Sequence, residues 1–337
     1  MADELELLRR ANPVPADGPH FGDGPLDHHA ERRLRRLMSE DRPLRRIAPH
    51  ARLLRRNVPR ARLFWGLAAT AGVLVTALTV LIGGPSAPPA LAAPRPLTVR
   101  AHSTPVPLKE LAGLADAAAQ DETPRLLKGT HVQSWSLGMS DGKPPVTLPE
   151  ERIVRWRTDD SHTELVVATD PRHRGRPVLT DEGGEPRLVE DGHLLSRTTY
   201  PPSWSDAPPE ARPPHTPAAL RDYLAETVRT DSPRTPELLD AVKELLDHWT
   251  LGARESAALV RVLADTQGLR PVGQVTDRLG RPGQAYVYGG EGGGGRRMLI
   301  LDPRTGAVLG LETTFTRDEP EWGVKAGDVM DYSAWMR

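Results

Sequence analysis

The run LFWGLAATAGVLVTALTVLIGG, Leu63 to Gly84, constrains this chain more than any other feature. Leu63 to Ile82 holds no charged residue. At ~1.5 Å of rise per residue, a helix of twenty residues spans roughly 30 Å, the hydrocarbon thickness of a bilayer. Thr70, Thr76 and Thr79 supply the hydroxyls within it, and these can bond back to the preceding helical turn. A core helix of that length would carry a polar stripe, and this one has none. A secretory signal has an apolar stretch of ~7–15 residues close to the N-terminus, whereas sixty-two residues precede this run. A single transmembrane helix over 63–84 is expected. The small-residue tail ALAAP, Ala90 to Pro94, keeps cleavage near Ala92 open as the alternative.

Charge orients the helix. Residues 31–62 hold twelve arginines against Glu31, Glu40 and Asp41, while Gly83 to Leu97 holds only Arg95. Positive flanks stay in the cytoplasm, which puts residues 1–62 inside and the long C-terminal part outside. Trp65 suits the inner interface. The net charge of −1 hides an asymmetry, since residues 1–62 sum to about +5 and residues 97–337 to about −7.

The first thirty residues are acidic and rich in Pro and Gly, and Leu5, Leu7 and Leu8 are the apolar residues of a short segment that could order on a partner. Residues 31–62 read as a cationic flank that also touches anionic lipid. Nucleic-acid binding is not expected, because no groove-reading fold is recognisable. Residues 85–106 read as a Pro/Ala-rich spacer. The remainder, 107–337, is one extracytoplasmic domain. It contains no cysteine, so its core alone must hold it, and a chain of this size buries roughly 70% of its unfolded surface.

Within that domain a helix is expected over 108–120, with Leu108, Leu111, Leu114 and Ala118 on one side. Short strands follow at 131–137, 153–158, 164–168, 177–179, 187–190 and 194–199, broken by DGKPP, DPRHRG, DEGGEP and DG. Thr216-Pro217 and Thr235-Pro236 read as helix starts, with hydroxyl caps and proline in the first turn. A third helix is expected over 255–264. Strands return at 272–277, 284–288, 297–302, 307–315 and 329–335, with a tight hairpin at Asp302 to Gly306. Strands, then helices, then strands predict an α+β domain: a curved antiparallel sheet, half-barrel-like, covered by helices on one face.

Catalytic patterns are missing. GGEGGGGRR, Gly289 to Arg297, joins two strands instead of opening a helix and has no following Lys, so it reads as a hairpin tip and not a phosphate loop. The eleven histidines form no HExxH. His131, His162 and His193 fall on strands. There is no GxSxG elbow, and Ser140-Asp141-Gly142 stands in a turn. Glu150-Glu151 and Asp159-Asp160 read as solvated pairs at strand ends. No catalytic, metal or cofactor residue is expected, and the chain is read as a non-enzyme. Trp135, Trp156, Tyr223 and Trp249 face the predicted core, where they either pack it or line an apolar pocket.

ELELLRRANPVP, the lone apolar helix, TPAALRDYLAETV, and GQAYVYGG through MLILDPRTGAVLGLE together resemble actinobacterial single-pass membrane proteins of unknown function, often encoded beside extracytoplasmic-function sigma factors. The order of elements is similar, more loosely, to the half-barrels of lipoprotein carriers and of the periplasmic regulator of sigma-E. The resemblance implies a membrane-tethered sensor or regulator, with a sigma factor or other cytoplasmic regulator as partner of the tail. The alternative is an anchored module binding a lipid, lipoprotein or peptide without signalling. The chain departs from zinc-containing anti-sigma factors, having no Cys for a His/Cys site.

Overall fold

A computed structural model describes residues 94–139, 144–202, 205–289 and 295–337. The expected cytoplasmic segment with Leu5, Leu7 and Leu8, the expected membrane helix over 63–84 and the first part of the spacer lie outside the described residues. So do Ser140-Asp141-Gly142 and the tip of the glycine hairpin. No helix among the described residues is long and apolar enough to cross a membrane.

The described chain is α+β. Its elements are α1 (Leu108–Ala118), β1 (Leu127–Gly138), β2 (Val146–Trp156), β3 (His162–Ala168), β4 (Val178–Thr180), β5 (Arg187–Val189), β6 (His193–Tyr200), α2 (Pro217–Thr227), α3 (Thr235–His248), β7 (Trp249–Thr250), α4 (Ala253–Ala264), β8 (Arg270–Thr276), β9 (Pro282–Gly289), β10 (Arg296–Leu301), β11 (Val308–Thr314) and β12 (Val329–Met336). The main sheet runs β6-β3-β2-β1-β12-β11-β10-β9-β8, antiparallel at every junction, with β7 added beside the start of β1. Its centre is the pairing of β1 with β12, in which Trp135 faces Tyr332 and Val132 faces Trp335. Strands from the two ends of the domain thus join two meanders into one sheet. A separate hairpin pairs β4 with β5.

Strand side chains alternate between faces, and the two faces differ. Val132, Tyr286, Leu299, Leu301, Leu311 and Trp335 join the buried residues of all four helices in one core. Trp135, Val287, Met298, Ile300 and Tyr332 form a second core on the other face, closed by Leu97 and Val99. The helices therefore cover one face, as strands-helices-strands predicts. Helix α4 buries Ala257, Ala258, Leu259, Val260, Val262 and Leu263 because α1 and α2 pack against it.

Three local expectations change. In α1 the buried face is Leu108, Leu111, Ala112 and Ala115, while Leu114 is 47% exposed. At about 100° per residue, Leu114 points roughly 120° away from Leu108. The expected hydroxyl caps are not made. Thr216 precedes α2 without a side-chain cap bond, and Thr235 lies inside α3, donating instead to the Gln267 carbonyl at 2.5 Å. Arg234 caps α3, its amide donating to Glu237 at 2.8 Å. Pro217 and Pro236 do occupy first turns. Finally, Glu150 and Glu151 lie within β2, opposite Ser134 and Gln133 of β1, and not at a strand end.

The two sheet edges also differ. Along β8, Arg100 donates its amide to the Gln274 carbonyl at 2.7 Å, and the Gln274 amide donates to Ser103 Oγ at 2.9 Å. Residues 95–103 thereby satisfy part of that edge. Among the described residues, β6 pairs only with β3.

Candidate functional site

A cavity of about 300 Å³ lies on the helix-covered face, where β7, α3 and α4 meet β1, β11 and β12. Leu246, Trp249, Leu251, Val308, Leu309 and Trp335 supply its apolar wall. Its charged neighbours and Thr250 are already engaged. Arg281 donates to Asp277 at 2.7 Å, to the Trp335 carbonyl at 2.6 Å and to the Leu309 carbonyl at 2.7 Å. Asp302 accepts from the amides of Arg304 and Thr305 at 2.8 and 2.9 Å. Thr250 donates to the Gly129 carbonyl at 2.9 Å, and Arg337 to that of Arg125 at 2.7 Å. Burial holds the Arg337 pKa below its ordinary value, against the attraction of Glu255. With these groups occupied, the surface offered to an occupant is mainly hydrocarbon and indole. The volume sits at the lower end of ligand cavities, enough for an aliphatic chain or an apolar side chain.

Beside the cavity runs a row of rings across the same face. Trp156, His162 and Tyr200 occupy directly opposed positions on β2, β3 and β6. Trp156 stacks on His162 at 4.2 Å and His162 on Tyr200 at 4.6 Å between ring centroids. Lys128 closes the inner end, its Nζ 3.8 Å from the centroid of Trp156 and 6.0 Å from that of Trp249, and it pairs with Asp160 at 3.0 Å. Burial lowers the His162 pKa from its ordinary value of 6.5, overcoming the carboxylates of Glu210 and Glu164, and His248 and Lys128 add to the lowering. Trp156 Nε1, His162 Nδ1 and Glu210 Oε2 are buried without a hydrogen-bond partner among the described residues.

Of the four aromatic residues singled out from the sequence, three gather here. Trp249 lines the cavity. The Trp249 indole of β7 donates to the Pro209 carbonyl at 2.9 Å, and the single hydroxyl proton of Tyr223 of α2 is shared between that carbonyl at 2.8 Å and that of Ala211 at 2.9 Å. Trp156 connects to Trp249 through Lys128. Trp135 is elsewhere, on the opposite face, where it packs against Tyr332 with centroids 5.6 Å apart and under the Arg172 guanidinium. Parity explains the separation: Val132 faces the helices, and Trp135, three residues on, must face away. The cavity residues Leu251, Val308 and Trp335 carried no local signal, since they meet only through the β1–β12 pairing.

The histidines on strands take different roles. His131 pairs with Glu151 at 2.6 Å and His193 with Glu182 at 3.3 Å, while His162 stacks. No group of three metal-ligating side chains occurs among the described residues.

No protein-family model and no curated protein matches the chain. Among solved structures, the complex of Pseudomonas aeruginosa MucA and MucB is loosely similar, at 15% identity and a TM-score of 0.24, over 67% of this chain and 55% of that one. The chain spans about half the length of that match. The dehydratase domain of the curacin polyketide synthase module CurK aligns at 12% identity and a TM-score of 0.12, over 70% of this chain and 82% of that one. Scores this low transfer neither architecture nor activity.

Proposed function

We propose that this chain is a membrane-anchored extracytoplasmic regulator whose outer domain senses an apolar ligand, an acyl chain or an apolar peptide side chain, in the cavity between β7, α4 and β12. The cavity carries the reading: Arg281, Asp302 and Arg337 are engaged with the protein, which leaves a mainly apolar wall for the ligand. The uncharged run over 63–84 and the arginines before it support the anchor and its orientation. The acidic tail with Leu5, Leu7 and Leu8 is the segment offered to a cytoplasmic partner, a sigma factor first. In this reading the domain binds and signals and performs no catalysis.

The test replaces Ser256, which borders the cavity from α4, by Leu. Ser256→Leu fills the space and should abolish copurification of lipid or peptide with the full-length protein while thermal unfolding stays cooperative. Unchanged copurification in a folded variant would remove the cavity from consideration. Orientation is tested separately: a reporter active only outside the cytoplasm should work after Arg337 and fail before Arg9. Capture from extract with residues 1–62, compared with a Leu5→Asp/Leu8→Asp version, distinguishes signalling from simple binding, because identical captures would leave the tail without a specific partner.

A further inference from the structure

We propose that β6 is a docking edge for an extended segment of a partner polypeptide, which joins the sheet as an additional strand and stacks a planar side chain, aromatic or arginine, on Tyr200. The site is distinct from the cavity, and its occupant does not depend on what the cavity holds.

The first observation is the contrast between the two edges. The β8 edge is bonded by Arg100 and Ser103 from the segment entering the domain. At β6, eight residues long, no backbone bond of Leu194 to Tyr200 other than those to β3 is found among the described residues. Ser196 to Tyr200 are all exposed. In any antiparallel edge strand, alternate residues present both N–H and C=O outward, and an added strand satisfies them. The strand carries no proline and no lysine, and Arg197 is its one permanent charge, so the usual blocks to pairing are few.

The second observation is the ring stack, which says what the added strand should bring. Trp156, His162 and Tyr200 stand on successive strands with centroids 4.2 and 4.6 Å apart. That repeat is close to the ~4.7–4.9 Å spacing between strands. The stack is therefore in phase with the sheet, and a strand added beyond β6 places its opposed residue at stacking distance from the outer face of Tyr200. Tyr200 is 40% exposed, the only member of the row among the exposed large hydrophobics of the described residues, so its ring keeps area for a further contact. The inner end is closed by the Lys128 ammonium on Trp156, so the row can grow only outward. A flat ring or a guanidinium satisfies the geometry, whereas an aliphatic side chain would leave the ring face half covered.

The experiment pans a displayed library of eight-residue strands, polar and randomised positions alternating, against the purified full-length protein. Enriched peptides should carry Trp, Tyr, Phe or Arg at one shared position and should slow amide exchange within His193–Tyr200. Their affinity should fall about five- to tenfold with Tyr200→Ala and stay near the parent value with Tyr200→Phe. Because Tyr200 sits at an exposed edge, the fold of both variants is checked by an unchanged unfolding midpoint. The proposal is overturned by no enrichment, by enrichment without a planar residue, by protection elsewhere, or by equal binding to Tyr200→Ala. A change confined to the monomer–dimer balance would overturn it too, naming a second copy as the occupant.

Discussion

Arg278 donates to Glu312 across 2.5 Å with both side chains inside the protein, 6% and 0% exposed. The pair also holds the entering chain. Glu312 accepts the Leu97 amide at 2.9 Å, and Arg278 donates to the Arg95 carbonyl at 3.0 Å. The Arg278 guanidinium lies 5.1 Å from the centroid of Tyr332 as well. One ion pair thus fastens residues 95–97 to β11 and to the β8–β9 turn. Truncating one partner strands the other charge in a dry environment, which costs about 3–5 kcal/mol. Glu312→Ala should lower the urea midpoint accordingly and raise amide exchange at Arg100. The pair Arg278→Leu/Glu312→Leu should recover part of the loss, since no charge is stranded but the Leu97 amide and the Arg95 carbonyl lose these partners. A single variant with an unchanged midpoint would mean that the charges are not dry.

His162 makes stability pH-dependent in a defined direction. Its folded pKa lies below the ordinary 6.5 because the charged form is desolvated in the stack. Above that value both states are neutral and nothing is lost. As pH falls through 6.5 the unfolded chain takes up the proton first, so stability falls until the folded value is passed. Glu210 and Glu164 oppose the effect, while His248 and Lys128 reinforce it. Asp170 also lies below its ordinary 3.8, for a different reason: burial pushes it up, but the hydrogen bonds and charge of Arg172, with the hydrogen bond of His173, outweigh that. Its contribution is lost only in more acid solution. Urea midpoints between pH 7.5 and 5.5 should therefore decline, and His162→Phe, which keeps a ring in the row, should flatten that decline. An unaltered slope in the variant would place the titrating group elsewhere.

Much of this fold was legible because local rules hold within it. Both meanders, all four helices and the proline-led first turns follow from spacing and turn residues, with ends off by a few positions. The start of β2 was hidden: Val146 to Arg152 contains Pro149 and two glutamates, so it lacks alternation. Strand β7, two residues long, was hidden by the helix pattern that runs into it. The candidate site was less legible than the fold. Trp249 and Tyr223 could be named from helical spacing, but their shared acceptor is Pro209, in the proline-rich stretch between β6 and α2 that carries no periodic pattern. The ring row depends on register between three strands, and a shift of one residue would scatter it.

Gly306 shows where a turn residue is set by tertiary packing. Its φ is +69°, and a Cβ there would lie 2.6 Å from Val260 Cγ2 of α4 and 2.9 Å from Ala115 Cβ of α1. Gly306→Val combines a left-handed backbone, about 1–2 kcal/mol, with overpacking of about 1–3 kcal/mol. A loss of about 2–5 kcal/mol in chemical denaturation is expected. Gly192→Ala is the control, since its φ of +84° is also left-handed but nothing lies within 4 Å of the added atom. Equal losses for the two would show that helix packing against the hairpin adds nothing.

The Pro209 carbonyl receives two donors, the Tyr223 hydroxyl at 2.8 Å and the Trp249 indole at 2.9 Å. Tyr223 is itself mostly buried, and burial, followed by the nearby Glu226, raises its pKa, so it remains a donor at any physiological pH. Tyr223→Phe leaves the Pro209 carbonyl to the indole and takes from the Ala211 carbonyl its share of the hydroxyl proton at 2.9 Å, so alone it should cost about 0.5–1.5 kcal/mol, the worth of one hydrogen bond. Trp249→Phe removes the indole donor and some packing. In the double variant the carbonyl loses both partners, which brings the larger cost of an unsatisfied group, about 1–3 kcal/mol. The double-mutant cycle should therefore exceed the sum of the singles by about 1 kcal/mol or more, outside the ~0.3–0.5 kcal/mol within which independent sites add. Simple additivity would mean that water replaces the donors, and that the segment around Pro209 is not held as a wall over α2 and β7.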